Sequence, residues 1–143
     1  MNDLLNYNQR RSVTIVLRNF EEHLRMTSAW LDGAEENGIL YHRKLSLPSA
    51  QRQAAKQCVE TALETIVVLA QKIDLEPEVE DSAGIIRGEM SVDWANLSDL
   101  ISRKMKQYGD VNPELRNVLD PAILHLAQLA MELVSILFSD PVL

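Results

Sequence analysis

Four stretches of the chain repeat apolar residues at intervals of three and four, which places these side chains on one face of an α-helix. No stretch shows the sustained alternation of apolar and polar residues that is typical of a half-buried strand. The pattern predicts an all-α fold with helices over about 8–32, 48–73, 91–108 and 121–139 and a short helical turn at 113–119.

The connection between the second and third predicted helices, residues 74–90, differs in composition from the rest of the chain. Five acidic residues crowd its first half, and Pro77, Gly84 and Gly88 are unfavourable in regular structure. We therefore expect a long acidic loop there. Because the helices are joined mostly by short loops, they are expected to form an up-and-down four-helix bundle in a single domain over residues 1–143.

The fourth predicted helix is apolar around most of its circumference. Its polar residues, His125, Gln128, Glu132 and Ser135, keep to one narrow stripe. The remaining apolar arc is wider than the stripe of about 100° that packing on one side requires. A membrane span is the competing interpretation, but Glu132 would be costly in hydrocarbon. We predict no membrane span and a homodimer formed through residues 121–139.

Composition restricts the classes of partner and the compartment. The chain carries 14 Lys and Arg against 21 Asp and Glu, a net charge of −7, which disfavours DNA binding. Cys58 is the one cysteine, so no internal disulfide forms and a reducing compartment is expected. The first residues lack the basic and apolar segments of a signal peptide. We predict a cytoplasmic protein.

The common catalytic signatures are absent from the sequence. It contains no phosphate-binding glycine loop, no dinucleotide-binding glycine triplet and no nucleophile elbow. We therefore expect a non-enzymatic protein-interaction module that self-associates, without a cofactor and with a further protein partner as one option. Three short patterns in the sequence suggest other sites or functions.

The six residues from Arg18 to His23, Arg-Asn-Phe-Glu-Glu-His, resemble the Arg-polar-x-x-x-His motif of HEPN helical RNases. In that family, Arg and His residues from two subunits line a cleft and activate the ribose 2′-hydroxyl for cleavage. The resemblance implies that Arg18 anchors a phosphate, Asn19 supports it and His23 acts as the general base.

A metal site in the helical bundle is the second alternative. The Glu-x-x-His pairs of ferritin-like di-metal centres are missing, because Phe20 and Ala122 stand three residues before the two helical histidines. A site could still form if the first and fourth helices face each other. Its ligands would be His23, His125 and Glu132.

The densest basic cluster of the sequence lies in the first connection between helices. An aromatic ring, an imidazole and two cations in a row could bind an anion or an acidic partner, although an exposed connection has the same composition. This candidate binding cluster consists of Tyr41, His42, Arg43 and Lys44.

Overall fold

The structure of the protein, a computed structural model, describes residues 4–139. Helices hold 71% of them, which confirms the all-α class, whereas the four-helix bundle topology stays a prediction. The elements in chain order are α1 (Tyr7–Leu31), β1 (Glu36–Asn37), β2 (His42–Arg43), α2 (Ser49–Lys72), α3 (Ser82–Ser98), a 3-10 helix (Ser102–Tyr108) and α4 (Leu115–Leu137).

The chain divides into two compact units, residues 1–77 and 78–143. The first contains α1, α2 and the short antiparallel hairpin between them, and the second contains α3, the 3-10 helix and α4. The expectation of one domain over residues 1–143 stays a prediction. Each unit is described by itself below.

The first unit is a pair of helices with a narrow core. Its α1 begins with a capping box, in which the Asn6 side chain accepts a hydrogen bond from the Gln9 N–H and the Gln9 side chain accepts one from the Asn6 N–H. The buried core consists of Leu24, Leu31 and Val59. The first two are seven residues apart, so they lie on one face of α1.

Two arginines link the ends of this helix pair reciprocally. Arg10, near the start of α1, donates from Nη1 to the carbonyls of Ile73 and Asp74 at the end of α2, both at 2.7 Å. Arg52, near the start of α2, donates from Nη1 to the Leu31 carbonyl at the end of α1, at 2.8 Å. The last carbonyls of a helix lack internal donors and carry partial negative charge, so both contacts stabilise the pair.

The second unit is formed by α3 and α4, which pack along each other. The buried apolar residues of α4 are Ile123, Ala127 and Ala130, spaced by four and three. Two of the three are alanines, and small side chains at a helix contact let the backbones approach closely.

The predicted bounds of the loop at 74–90 and of the helix at 91–108 are wrong, because the loop extends only to Asp81 and the α-helix ends at Ser98. Helix α3 already begins at Ser82, because the Asp81 carboxylate accepts a hydrogen bond from the Ala83 N–H at 2.9 Å and so caps the helix. Gly84 and Gly88 lie inside the helix, at a cost of about 1 kcal/mol each relative to alanine.

Helix α3 ends at Ser98, ten residues before the predicted end. Ile101 has an extended backbone, with ψ at 149°, and the 3-10 helix follows it. In a contact with α4, the Asp120 carboxylate accepts hydrogen bonds from the Ser102 N–H at 2.7 Å and from the Ser102 hydroxyl at 2.9 Å. Those bonds hold Ser102 in place at the start of the 3-10 helix.

The predicted break between a turn at 113–119 and a helix at 121–139 is also wrong. Helix α4 runs without interruption from Leu115 to Leu137 and includes Pro121. Proline removes one helical hydrogen bond at that point. Packing of the following turns against α3 keeps the chain helical.

The two glycines of α3 provide a test of the corrected boundary. A methyl group at Gly84 or Gly88 would meet no atom within 4 Å, so each change to alanine should raise the free energy of unfolding by about 0.5–1 kcal/mol. Urea unfolding followed by Trp94 fluorescence, in a Trp30→Phe background, measures it. Gly109→Ala is the control and should be destabilising, because Gly109 has φ at 133°. Unchanged stability in both α3 variants would contradict a helix at 82–90.

The arginine contacts predict a second effect on stability. Arg10→Met or Arg52→Met should lower the free energy of unfolding of the first unit by about 1–2 kcal/mol, because carbonyls at a helix end lose a charged donor. Urea unfolding followed by Trp30 fluorescence in a Trp94→Phe background reports this unit. Arg11→Met is the matched control, since Arg11 is exposed and forms no hydrogen bond or ion pair within residues 4–139. Equal stabilities of all three variants would argue against reciprocal capping.

Candidate interaction surface

Helix α4 exposes a row of large aliphatic side chains, which we call the leucine stripe. It consists of Leu126, Leu129, Leu133 and Ile136. Their side chains are 40% to 63% exposed although they lie in the middle and end of a long helix. Large apolar side chains that share one face of a helix and remain exposed mark a surface suited to a partner.

The leucine stripe is separate from the face of α4 that packs on α3. At 100° per residue, its members lie roughly 100° around the helix from Ile123, Ala127 and Ala130. The polar stripe that contains His125 and Glu132 lies on the far side of the leucine stripe. Helix α4 therefore buries Ile123 and two alanines and leaves the leucine stripe exposed.

The spacing within the stripe determines what it can bind. Intervals of three, four and three residues are those of a coiled-coil seam, in which each side chain enters a hole between four side chains of a second helix. Fully burying one Leu or Ile is worth about 1.5–3 kcal/mol. Because these four are already about half covered, burial of the whole stripe would contribute on the order of 4 kcal/mol.

Helix α4 also has the length and composition of a membrane-crossing helix, the only one of that kind within residues 4–139. Only 17% of its most apolar window is buried. Such a helix can be covered by protein or by lipid, and length and composition do not distinguish the two.

The predicted basic cluster lies on and beside β2, next to two glutamates. The Arg43 guanidinium is 2.8 Å from a carboxylate oxygen of Glu36 and lies over the ring of Tyr41, 4.8 Å from its centroid. The Glu35 carboxylate is 3.8 Å from the His42 imidazole and 3.9 Å from the Lys44 ammonium. The cluster is assembled, but its cations already face carboxylates of the same hairpin. Its role in binding stays a hypothesis.

The residues of the HEPN-like motif all lie on α1. Arg18 donates a hydrogen bond to the Asn19 side chain at 2.9 Å and lies 3.6 Å from the Glu22 carboxylate. His23 is exposed and lies about 140° around the helix from Arg18, so one chain does not bring the two side chains together. The RNase activity stays a hypothesis that requires a second subunit.

The suggested metal ligands are divided between the two units. His23 belongs to α1, whereas His125 and Glu132 lie two turns apart on α4, about 10 Å along the axis. Within residues 4–139, no three His, Cys, Asp or Glu side chains are grouped so that they could hold a metal ion.

A cationic cluster on the 3-10 helix is not among the predicted site residues. Arg103, Lys104 and Lys106 line an open cavity of about 580 Å³. Asp99, Gln107 and Tyr108 complete the lining. The available signal was the presence of three cations within four residues of an otherwise acidic half.

No protein-family model, curated protein or solved structure matches the chain. The inference of function therefore depends on the surfaces described above.

The contact between Asp120 and Ser102 should hold the 3-10 helix on α4. Asp120→Ala removes both hydrogen bonds and should lower the free energy of unfolding by about 1–3 kcal/mol, because it leaves a half-buried N–H without a partner. Ser102→Ala removes one bond and should cost less. Urea unfolding gives the stability, and amide hydrogen exchange at Ser102 reports the local contact. Asp110→Ala, at an exposed position, is the control. Unchanged exchange at Ser102 in Asp120→Ala would contradict the anchoring role.

Proposed function

We propose that the protein is a non-enzymatic interaction module that self-associates, and that the leucine stripe of a second copy covers the leucine stripe of the first. The observation that supports this proposal is the exposure of four large aliphatic side chains at coiled-coil spacing on α4. The same surface on two copies is self-complementary, and an isologous dimer is the commonest assembly of soluble proteins.

An antiparallel pair of α4 helices gives the best match of side chains. Because the stripe is nearly symmetric about its middle, Leu129 of one copy would meet Leu133 of the other, and Leu126 would meet Ile136. Apolar groups then face apolar groups along the whole seam. The polar stripe stays at the rim, where water can reach it.

The charge of the second unit favours a protein surface over a membrane. The polar stripe of α4 contains Glu132 and no Lys or Arg, whereas helices that lie on anionic membranes have basic polar faces. Insertion across the bilayer would place Glu132 in hydrocarbon, which costs a few kcal/mol. The net charge of −7 likewise argues against DNA as the partner. The exposed thiol of Cys58 suits a reducing compartment, in keeping with a cytoplasmic location.

The proposal predicts that charge in the stripe dissociates the assembly. Leu129→Glu should halve the solution mass measured by light scattering at about 50 μM, because burying an unpaired carboxylate in the seam costs several kcal/mol. Leu133→Lys should act in the same way. Leu124→Glu is the matched control, an exposed leucine on the same helix but outside the stripe, and should stay dimeric. Circular dichroism verifies that each variant is folded.

Two results would overturn the proposal. One is a wild-type protein that is monomeric at 50 μM. The other is flotation of the wild type with phosphatidylcholine vesicles, abolished by Leu129→Glu, which would assign the leucine stripe to lipid.

A further inference from the structure

The cationic cluster on the 3-10 helix concentrates most of the positive charge of its unit. Residues 78–143 contain five Lys and Arg, and three of them are Arg103, Lys104 and Lys106. Acidic residues dominate the rest of this unit. A concentration of cations within an acidic unit is a local feature that its net charge does not explain.

The geometry of the 3-10 helix aligns two of these cations. With three residues per turn, residues i and i+3 of a 3-10 helix lie directly above one another. Arg103 and Lys106 therefore extend from the same side, about 6 Å apart along the axis. In the α-helix predicted from the sequence, the side chains of Arg103 and Lys106 would be about 60° apart around the helix axis.

Within the part of the chain that the structure describes, no carboxylate neutralises the same two cations. Lys104 donates to the Asp99 carboxylate at 2.8 Å. Within residues 4–139, Arg103 and Lys106 form no ion pair or hydrogen bond through their side chains. The guanidinium and the ammonium are thus available to an external anion, and a guanidinium can bind a phosphate through two parallel hydrogen bonds.

The cluster is also part of an anchored site. Its cavity is an open depression of about 580 Å³, a volume within the range of small-molecule sites. The bonds from Ser102 to Asp120 fix the start of the 3-10 helix, and Gly109, with φ at 133°, ends it. Residues held in position before binding lose less conformational entropy when a ligand arrives.

We propose that this cavity binds a phosphate-bearing small molecule, with Arg103 and Lys106 holding the phosphate oxygens. The phosphates can belong to an inorganic oligophosphate or to a nucleotide. In the second case the largely exposed ring of Tyr108, which also lines the cavity, is available to stack on the base. This inference does not depend on self-association, because every residue in it belongs to one chain.

Isothermal titration of the full chain with pyrophosphate and with ADP, in 50 mM salt without metal, tests the proposal. Both should bind, and Arg103→Gln/Lys106→Gln should weaken each by about tenfold or more, because charge-assisted hydrogen bonds are lost. Raising the salt to 0.5 M should also weaken binding. Arg116→Gln, an exposed cation of the same unit outside the cavity, is the control and should change affinity less than twofold.

The two phosphate sources separate in the same experiment. If ADP binds more tightly than pyrophosphate and Tyr108→Leu removes only that difference, the site takes a nucleotide. Equal affinities indicate recognition of the phosphates alone, and both results support the site. Three results would overturn the proposal: no binding by the wild type at millimolar ligand, full binding by the double variant, or equal weakening by Arg116→Gln.

Discussion

Two packed helices can bury only one side of each, and this limit determines most of what the protein exposes. In the first unit the seam between α1 and α2 covers Leu24, Leu31 and Val59, while Val16 and Phe20 stay exposed on α1. In the second unit α4 buries Ile123, Ala127 and Ala130 and leaves the leucine stripe exposed. Larger domains solve the problem with a third and fourth helix in contact with the same core. In a unit built on two long helices the outer faces stay exposed, as a consequence of the architecture.

With so few buried side chains, polar contacts define the ends of the elements. Each unit uses a charged side chain of one helix to satisfy backbone groups at the end of another. Arg10 and Arg52 do so for carbonyls at the ends of α2 and α1, and Asp120 does so for the N–H of Ser102. These contacts set where helices stop, which a thin core cannot do through packing alone.

Features that local patterns in the sequence specify were predicted, and features that depend on contacts between distant residues were not. Helices α1 and α2 were predicted within about one residue, because apolar spacing and local caps specify them. The leucines of α4 were likewise recognisable from their wide apolar arc. The boundaries of α3 were missed, because glycine was given more weight than its cost of about 1 kcal/mol justifies. The anchored start of the 3-10 helix was beyond any local pattern, since Ser102 is held by Asp120, which is 18 residues away.

That same long-range contact links the fold to the second candidate site. If α3 continued to Tyr108, Arg103 and Lys106 would lie near the C-terminus of an α-helix. Cations at that end interact favourably with the helix dipole. In the 3-10 helix that the Asp120 carboxylate anchors, the angle between the two cations is nearly zero instead of about 60°. Both cations then extend from one side of the helix. Structural contacts with this effect are a place to look for binding sites in small helical proteins, because sequence periodicity gives no sign of them.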